Sequence, residues 1–219
     1  MERAIAVSER SLTLPRVIAV ILGAALVTLA AQIAVPLPGT PVPMTLQPLA
    51  VLLVGGLLGA RLGATSMVLY LALGIAGLPV FTPTVPLFGI ARLLGPTGGY
   101  LLAYPVAAWV VGWLTDPGRP ERTSFGRKPG ENQNPAPMPF NPGLAPGVSE
   151  PNWLRVGLGV LAGLVLIHVG GLAQLAILTG NLSGAARLGT LPFLLGDLSK
   201  LAVAVAVLTK LTPQVRARL

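Results

Sequence analysis

Long apolar segments alternate with short polar or proline-rich ones along the whole chain. A transmembrane helix needs about 20 consecutive apolar residues, and most of the apolar segments approach that length. We therefore predict an all-α, polytopic membrane protein with six transmembrane helices that form a single transmembrane domain over residues 1–219. The predicted helices lie at about 15–35, 46–59, 62–78, 97–115, 153–179 and 190–211.

The second and third apolar segments are short and could form one long helix interrupted only by Arg61. The glycines that surround this arginine favour a tight turn between two helices, because glycine adopts turn conformations without steric strain. The first segment, 17–35, follows Arg10 and Arg16 as a secretory signal would. It is longer than a signal core and other apolar segments follow it, so we expect a retained first helix.

The composition supports the membrane interpretation. Hydrophobic residues make up 53% of the chain, charged residues only 10%, and the mean hydropathy is +0.77. Soluble domains carry roughly 25% charged residues. Because cysteine is absent and His168 is the single histidine, thiolate catalysis, disulfides, Cys-ligated metals and HExxH zinc sites are excluded. We expect no metal, no cofactor and no enzymatic activity.

The positions of the basic residues decide the orientation. The net charge of +8 could suggest nucleic acid, but cytoplasmic loops of membrane proteins are also enriched in Lys and Arg. With six helices and both termini cytoplasmic, twelve of the fifteen basic residues lie inside. We therefore expect a lipid bilayer and no nucleic acid as partner. Residues 116–152, rich in Pro, Gly and Asn, are predicted to form a flexible cytoplasmic loop.

Two loops on the predicted outer side are apolar and rich in proline. They cover residues 35–47 and 78–100. Proline restricts the free chain, and apolar residues avoid water, so both loops are expected to fold back over the helix ends as a lid. A re-entrant packing segment without a ligand is the alternative.

Asp197 and Lys200 lie in the otherwise apolar sixth segment. Asp197 is the only carboxylate in any predicted helix core, and the spacing i, i+3 puts both side chains on one helix face. Each charge near the bilayer centre costs about 2.5–3.5 kcal/mol. The pair is either a salt bridge that holds the sixth helix in the bundle, or a site for a neutral polar group with N–H and C=O functions.

Other polar residues are weaker candidates. Gln47 and Thr45 lie at the start of the second helix and could orient a ligand or cap that helix. Arg92 in the second loop could bind a ligand carboxylate or could be a solvated loop arginine. For His168 we favour a hydrogen-bonded core histidine or one that contacts a neighbouring helix.

Small residues on the first helix, Ala19 and Gly23, are four positions apart. Such spacing lets helices approach closely. Packing within the bundle explains it, and so does docking of a second membrane protein.

Four motifs occur in order along the chain: PGTPVPMTLQ (38–47), GLPVF (77–81), GPTGGY (95–100) and GDLSK (196–200). No single motif is specific, but their combination in this order is. With these motifs the chain resembles the BioY family, the substrate-binding (S) components of energy-coupling factor (ECF) transporters for biotin.

The resemblance implies a six-helix membrane fold and high-affinity binding of biotin under the two outer loops. It places Asp197 and Lys200 against the ureido ring of biotin. Its other motifs supply the further substrate-binding candidates Phe81, Gly98, Gly99 and Tyr100.

The resemblance also implies partners. ECF transporters add a transmembrane scaffold subunit and two ATPase subunits, and Ala19 and Gly23 are the candidate contact with the scaffold. The expected location is the cytoplasmic membrane of a bacterium, and the expected function is biotin uptake. An S component for another vitamin and a structural membrane protein remain the alternatives.

Overall fold

The computed structural model describes residues 14–116 and 153–219, and this part of the chain is mostly helical. The N-terminal tail and almost all of the predicted loop 116–152 lie outside the described residues. The eight α-helices of the described part are α1 Leu14–Gln32, α2 Gln47–Leu58, α3 Ala60–Ile75, α4 Ile90–Leu94, α5 Gly98–Leu114, α6 Trp153–Thr179, α7 Leu182–Gly189 and α8 Leu194–Arg216.

The first proline-rich loop contains a short antiparallel ladder that the all-α prediction did not include. Strand β1, Ala34–Val35, pairs with strand β2, Met44–Thr45, so α1 ends at Gln32 and not at 35. Pro36 follows β1 and Pro43 precedes β2. Because proline has no backbone N–H, these residues confine the ladder to two positions on each strand.

Gly59 separates α2 from α3, as the glycines around Arg61 predicted. Its backbone has φ 83° and ψ 172°, a conformation that is essentially restricted to glycine. The two helices then run closely together, because a side chain at Gly63 would meet the backbone of Gly55. Two short helices, and not one long helix, occupy this region.

Two helices lie where the sequence predicted loop. Helix α4 lies within the second proline-rich loop, and α7 lies between the fifth and sixth predicted helices. The side chain of Asn181 caps α7 by accepting the backbone amides of Ser183 and Gly184. A 3₁₀ turn, Leu191–Phe193, then leads into α8, which begins at Leu194 rather than 190 and ends at Arg216 rather than 211.

Within residues 14–116 and 153–219, three stretches are long and apolar enough to cross a membrane: Leu14–Gln32, Trp153–Thr179, and Leu182–Arg216, which joins α7 to α8. Helices α2, α3 and α5 are also apolar but shorter. Large hydrophobic side chains are exposed on the outer faces of the long helices, among them Leu22, Val165 and Val203. Such contiguous apolar surface is typical of a protein that is embedded in lipid.

Helix α5 lies at the centre of the bundle and packs against α2, α3 and α6. Glycines make this packing close: a side chain at Gly99 would meet the α6 backbone, and one at Gly112 would meet the α2–α3 turn. Toward the two proline-rich loops the core is aromatic, with Tyr70, Phe81 and Tyr104 buried. Helices α2, α5, α6 and α8 surround a polar cavity at this end.

Candidate functional site

A cavity with an empty volume of about 530 Å³, including the space that opens to solvent, lies between the helices and under the two loops. Val42 and Pro43 of the first loop and Thr82 of the second contribute to its wall. Both proline-rich loops therefore cover the cavity, as the lid interpretation predicted.

The loops are tied to the bundle by hydrogen bonds. Thr40 Oγ1 donates to the carbonyl of Leu188 at a distance of 2.5 Å, which joins the first loop to α7. Gln32 Nε2, at the end of α1, donates to the carbonyl of Phe81 over 3.4 Å, which holds the second loop. These contacts fix the loop positions that shape the cavity.

Asp197 and Lys200 line the cavity and form an ion pair. Lys200 Nζ donates to Asp197 Oδ1 over 2.9 Å, and the two residues are only 6% and 4% exposed. Asp197 lies in the first turn of α8, where the helix dipole favours a negative charge. The structure thus places the buried pair in a polar cavity rather than in a purely apolar helix contact.

His168 of α6 is the third member of this cluster. Its Nε2 lies 2.7 Å from Asp197 Oδ2, so the prediction of a core histidine that contacts a neighbouring helix is confirmed. That His168 also lines the cavity was not predicted. A lone polar residue in an apolar helix was the available signal, but the sequence could not identify its partner 29 residues away.

Arg92 is buried in the wall of the cavity, with 1% of its surface exposed. The interpretation of a solvated loop arginine is therefore wrong; α4 and the second loop carry the side chain inward. Its Nη1 donates to the carbonyl of Val85 over 2.7 Å, and its buried Nε has no hydrogen-bond partner in the described part of the chain. Burial lowers the pKa of the guanidinium, which still remains protonated at neutral pH.

Thr45 and Gln47 line the cavity where the first loop enters α2. Gln47 Nε2 donates to the hydroxyl of Tyr70 over 2.6 Å. Thr45 Oγ1 accepts the amide of Gln47, the first residue of α2, over 3.3 Å. This bond closes a turn before the helix and is not a cap, because α2 begins after Leu46 without a side-chain cap. The side chain of Thr45 borders the cavity, and its contact with a ligand stays a prediction.

The motif-based candidates divide into two groups. The ring of Tyr100 lines the cavity, and its hydroxyl donates to the carbonyl of Gly189. Phe81, Gly98 and Gly99 are buried but are not part of the cavity wall: Phe81 packs edge-on against Tyr70, and the two glycines lie against neighbouring backbone. For these three residues a contact with the ligand stays a prediction.

Ala19 and Gly23 are buried inside the bundle. A side chain at Gly23 would meet Ser66 of α3 and Val54 of α2. Their small size thus serves the contact of α1 with α2 and α3, which was one of the two explanations. A contact with a scaffold subunit stays a prediction.

The cluster has a definite chemical character. Lys200 and Arg92 are cations, and Asp197 is the only carboxylate in the wall, so the charged side chains sum to one positive charge with His168 neutral. No group of three metal-ligating side chains occurs among residues 14–116 and 153–219. The arrangement suits the binding of a ligand that has hydrogen-bonding groups at one part and a negative charge at another.

Comparison with known proteins gives a consistent result. The family model of the BioY family matches residues 5–217. The chain is 34% identical over 187 residues to the probable biotin transporter BioY of Pyrococcus horikoshii, covering 85% of this chain and 90% of that protein. It is 33% identical over 187 residues to the biotin transporter BioY of Thermotoga maritima, covering 85% and 89%.

One solved structure is similar in fold. It is the crystal structure of the S-component for biotin from an ECF-type ABC transporter, with a TM-score of 0.69 and 24% sequence identity. The match covers 90% of each chain. The arrangement of helices described above is therefore that of a solved membrane protein.

Proposed function

The chain belongs to the BioY family, and we propose that it takes up biotin across a membrane as the high-affinity biotin-binding S component of an ECF transporter. The observation that carries the proposal is the buried ion pair of Asp197 and Lys200 in the wall of a loop-covered cavity. The relatives are named biotin transporters, and they extend over most of this chain. The protein is a transporter component and not an enzyme.

Biotin fits the chemistry of the cavity. Its ureido ring carries two N–H donors and one carbonyl acceptor, and its valeryl chain ends in a carboxylate. Lys200 can donate to the ureido carbonyl, and Asp197 has lone pairs that can accept a ring N–H. Arg92 can form a charge-assisted hydrogen bond with the carboxylate. The net positive charge of the wall supports an anionic ligand of this kind.

Thr45, Gln47 and Tyr100 are proposed to contact the same ligand, because they also line the cavity. Phe81, Gly98 and Gly99 are proposed to act indirectly by holding α3 and α5 in place. The apolar residues of the loops would cover the thiolane ring and the valeryl chain.

We propose six transmembrane segments with both termini in the cytoplasm, formed by α1, α2, α3, α5, α6 and the α7–α8 stretch. The support is the segregation of charge. Arg16, Arg61, Arg216 and Arg218 lie at the end of the bundle opposite the cavity, where Arg16 Nε bonds the carbonyl of Leu219. The positive-inside rule then orients the cavity toward the outside of a bacterial cytoplasmic membrane.

The chain contains no GxxxxGK[ST] motif, so ATP-driven uptake requires partners. We propose a transmembrane scaffold subunit and two ATPase subunits, with α1, which carries Ala19 and Gly23, as the contact with the scaffold. Within this complex the S component would topple or rock to release biotin inward.

A structural role of the ion pair has one observation in its favour. Because Asp197 also bonds His168, the cluster links α8 to α6 and would hold the two helices together without any ligand. In that case the ion pair would contribute to stability, and biotin would not bind.

Biotin binding and a purely structural ion pair predict different results in a direct binding experiment. The purified full-length protein is heated with saturating biotin, with thiamine, with riboflavin or without ligand, and binding of radiolabelled biotin is measured alongside. We expect biotin alone to raise the melting temperature, because a ligand that binds only the folded state stabilises it. The carboxamide of biotin should bind more weakly, because Arg92 loses its anionic partner. An unchanged melting curve and no bound radiolabel at saturating biotin would refute the proposed function.

A further inference from the structure

One nitrogen of His168 has no hydrogen-bond partner. His168 lines the cavity, and its Nε2 is engaged with Asp197. Its Nδ1 is buried and makes no hydrogen bond to any described residue. Buried polar atoms without a partner are uncommon in folded proteins, so this nitrogen needs an explanation.

The contact with Asp197 defines what Nδ1 can do. A carboxylate oxygen only accepts, so the hydrogen in the 2.7 Å contact lies on His168 Nε2. In a neutral imidazole that carries its hydrogen on one nitrogen, the other nitrogen is an acceptor. The Nδ1 of a neutral His168 is therefore a buried acceptor on a residue that lines the cavity.

Both carboxylate oxygens of Asp197 already accept a hydrogen bond from a neighbouring side chain. Its Oδ1 already accepts from Lys200 and its Oδ2 from His168. A cyclic urea presents two N–H groups on different sides of its carbonyl, and both need acceptors when they are buried. The remaining lone pairs of Asp197 can serve one of them, and a second acceptor nearby is required for the other.

We propose that His168 also contacts the ligand: its Nδ1 accepts one ring N–H of the bound cyclic urea while its Nε2–H orients Asp197. The inference rests on the proposed function and deepens it. Asp197 and His168 then each accept one N–H, and Lys200 donates to the carbonyl. His168 thus positions the carboxylate of Asp197 and also binds the ligand directly.

The decisive variant is His168→Gln. The side-chain amide nitrogen of glutamine can occupy the place of Nε2 and keep the hydrogen bond to Asp197, but glutamine has no atom in the place of Nδ1. Radiolabelled biotin is titrated into the purified full-length wild type and H168Q. We expect H168Q to bind biotin about tenfold more weakly than the wild type. Val169→Ala, at a lipid-facing position of the same helix, should behave as the wild type.

A ligand variant tests the same contact from the other side. Of the two biotins that are methylated at one ring nitrogen, one lacks the N–H that His168 accepts. For that compound the loss of affinity should be large in the wild type and small in H168Q, because the contact is already missing in the variant.

The outcomes are distinct. Equal biotin affinities of H168Q and the wild type would overturn the inference and leave biotin binding intact. If H168Q does not fold, the wild type decides, since affinities for both methylated biotins equal to that for biotin would also overturn it. A wild type that binds no biotin refutes the proposed function itself.

Discussion

At the scale of single residues, the site depends on charges that are buried together. Asp197 bonds Lys200 through one oxygen and His168 through the other. Removing one member of a buried ion pair leaves an uncompensated charge and costs about 3–5 kcal/mol, whereas replacing both members by well-packed neutral residues is often close to neutral. Stability and ligand binding can therefore be separated at this pair.

The double substitution Asp197→Asn with Lys200→Met should abolish biotin binding and leave the melting temperature without ligand close to that of the wild type. The single substitution Asp197→Asn should abolish binding and also lower stability, by up to about 3–5 kcal/mol, because Lys200 stays charged and buried. Binding of radiolabelled biotin and thermal melting measure the two effects.

Ser199→Ala provides the matched control, because Ser199 lies between the pair on α8 but is exposed and bonds only the carbonyl of Gly196. It should bind biotin normally. Biotin binding by the double variant at wild-type affinity would show that the pair is structural.

At the scale of elements, glycines determine where the helices turn and how closely they pack. Gly59 ends α2 and starts α3, and Gly55 and Gly63 let these helices approach each other. The same residue type lets α5 lie against α6 at Gly99 and Gly170. The short helices reach their positions because these contacts bring backbone against backbone, which is common between membrane helices.

Gly59→Ala should lower the stability of the protein by about 1–3 kcal/mol, because its φ of 83° and ψ of 172° are unfavourable for any residue with a Cβ atom. Steric overlap is not the cause of this loss. The atom nearest to a Cβ added at Gly59 would belong to the side chain of Arg216, at 3.8 Å. Thermal melting in detergent without ligand measures the change.

Gly157→Ala is the control for this prediction. Gly157 lies in α6, no atom lies within 4 Å of an added Cβ, and alanine favours a helix more than glycine does. This variant should be as stable as the wild type or more stable. Equal melting of G59A and the wild type would contradict the assigned backbone conformation.

At the scale of the whole molecule, the two ends of the bundle differ in charge and in polarity. At one end, Arg216 donates to the carbonyls of Gly56 and Gly112 and to Asp116, and so joins the ends of α2, α5 and α8. The cavity with Asp197 lies at the other end. This difference between the ends supports the orientation that we propose, with the cavity on the outer side of the membrane.

The absence of cysteine from the chain allows a direct test of orientation. In intact cells, a membrane-impermeant thiol reagent should label a protein with Ser183→Cys, at the cavity end. It should label Arg61→Cys or Arg218→Cys only after the membrane is opened. All three positions are exposed, so access is set by the membrane and not by burial in the protein. Labelling of Arg61→Cys in intact cells would contradict the proposed orientation.

The sequence by itself determined the class of the protein and the pair at the centre of its site. Apolar segments of helical length, too few charges for a soluble domain, and two opposite charges at i, i+3 in an apolar helix are local properties, and they are visible without a fold. The glycines around Arg61 likewise predicted the turn at Gly59, since backbone freedom is a property of the residue. Periodicity did not reveal α4 and α7, because short helices between proline-rich or polar segments leave too weak a pattern.

Only the tertiary structure decided which distant side chains meet. It brought His168 to Asp197 across two helices, and it turned Arg92 from the second loop into the cavity wall. It also placed Phe81, Gly98 and Gly99 outside that wall, and Ala19 and Gly23 inside the bundle. Such contacts depend on the packing of α5 against α6 and on the way the loops fold back, and no local pattern encodes them because the partners are far apart in the chain.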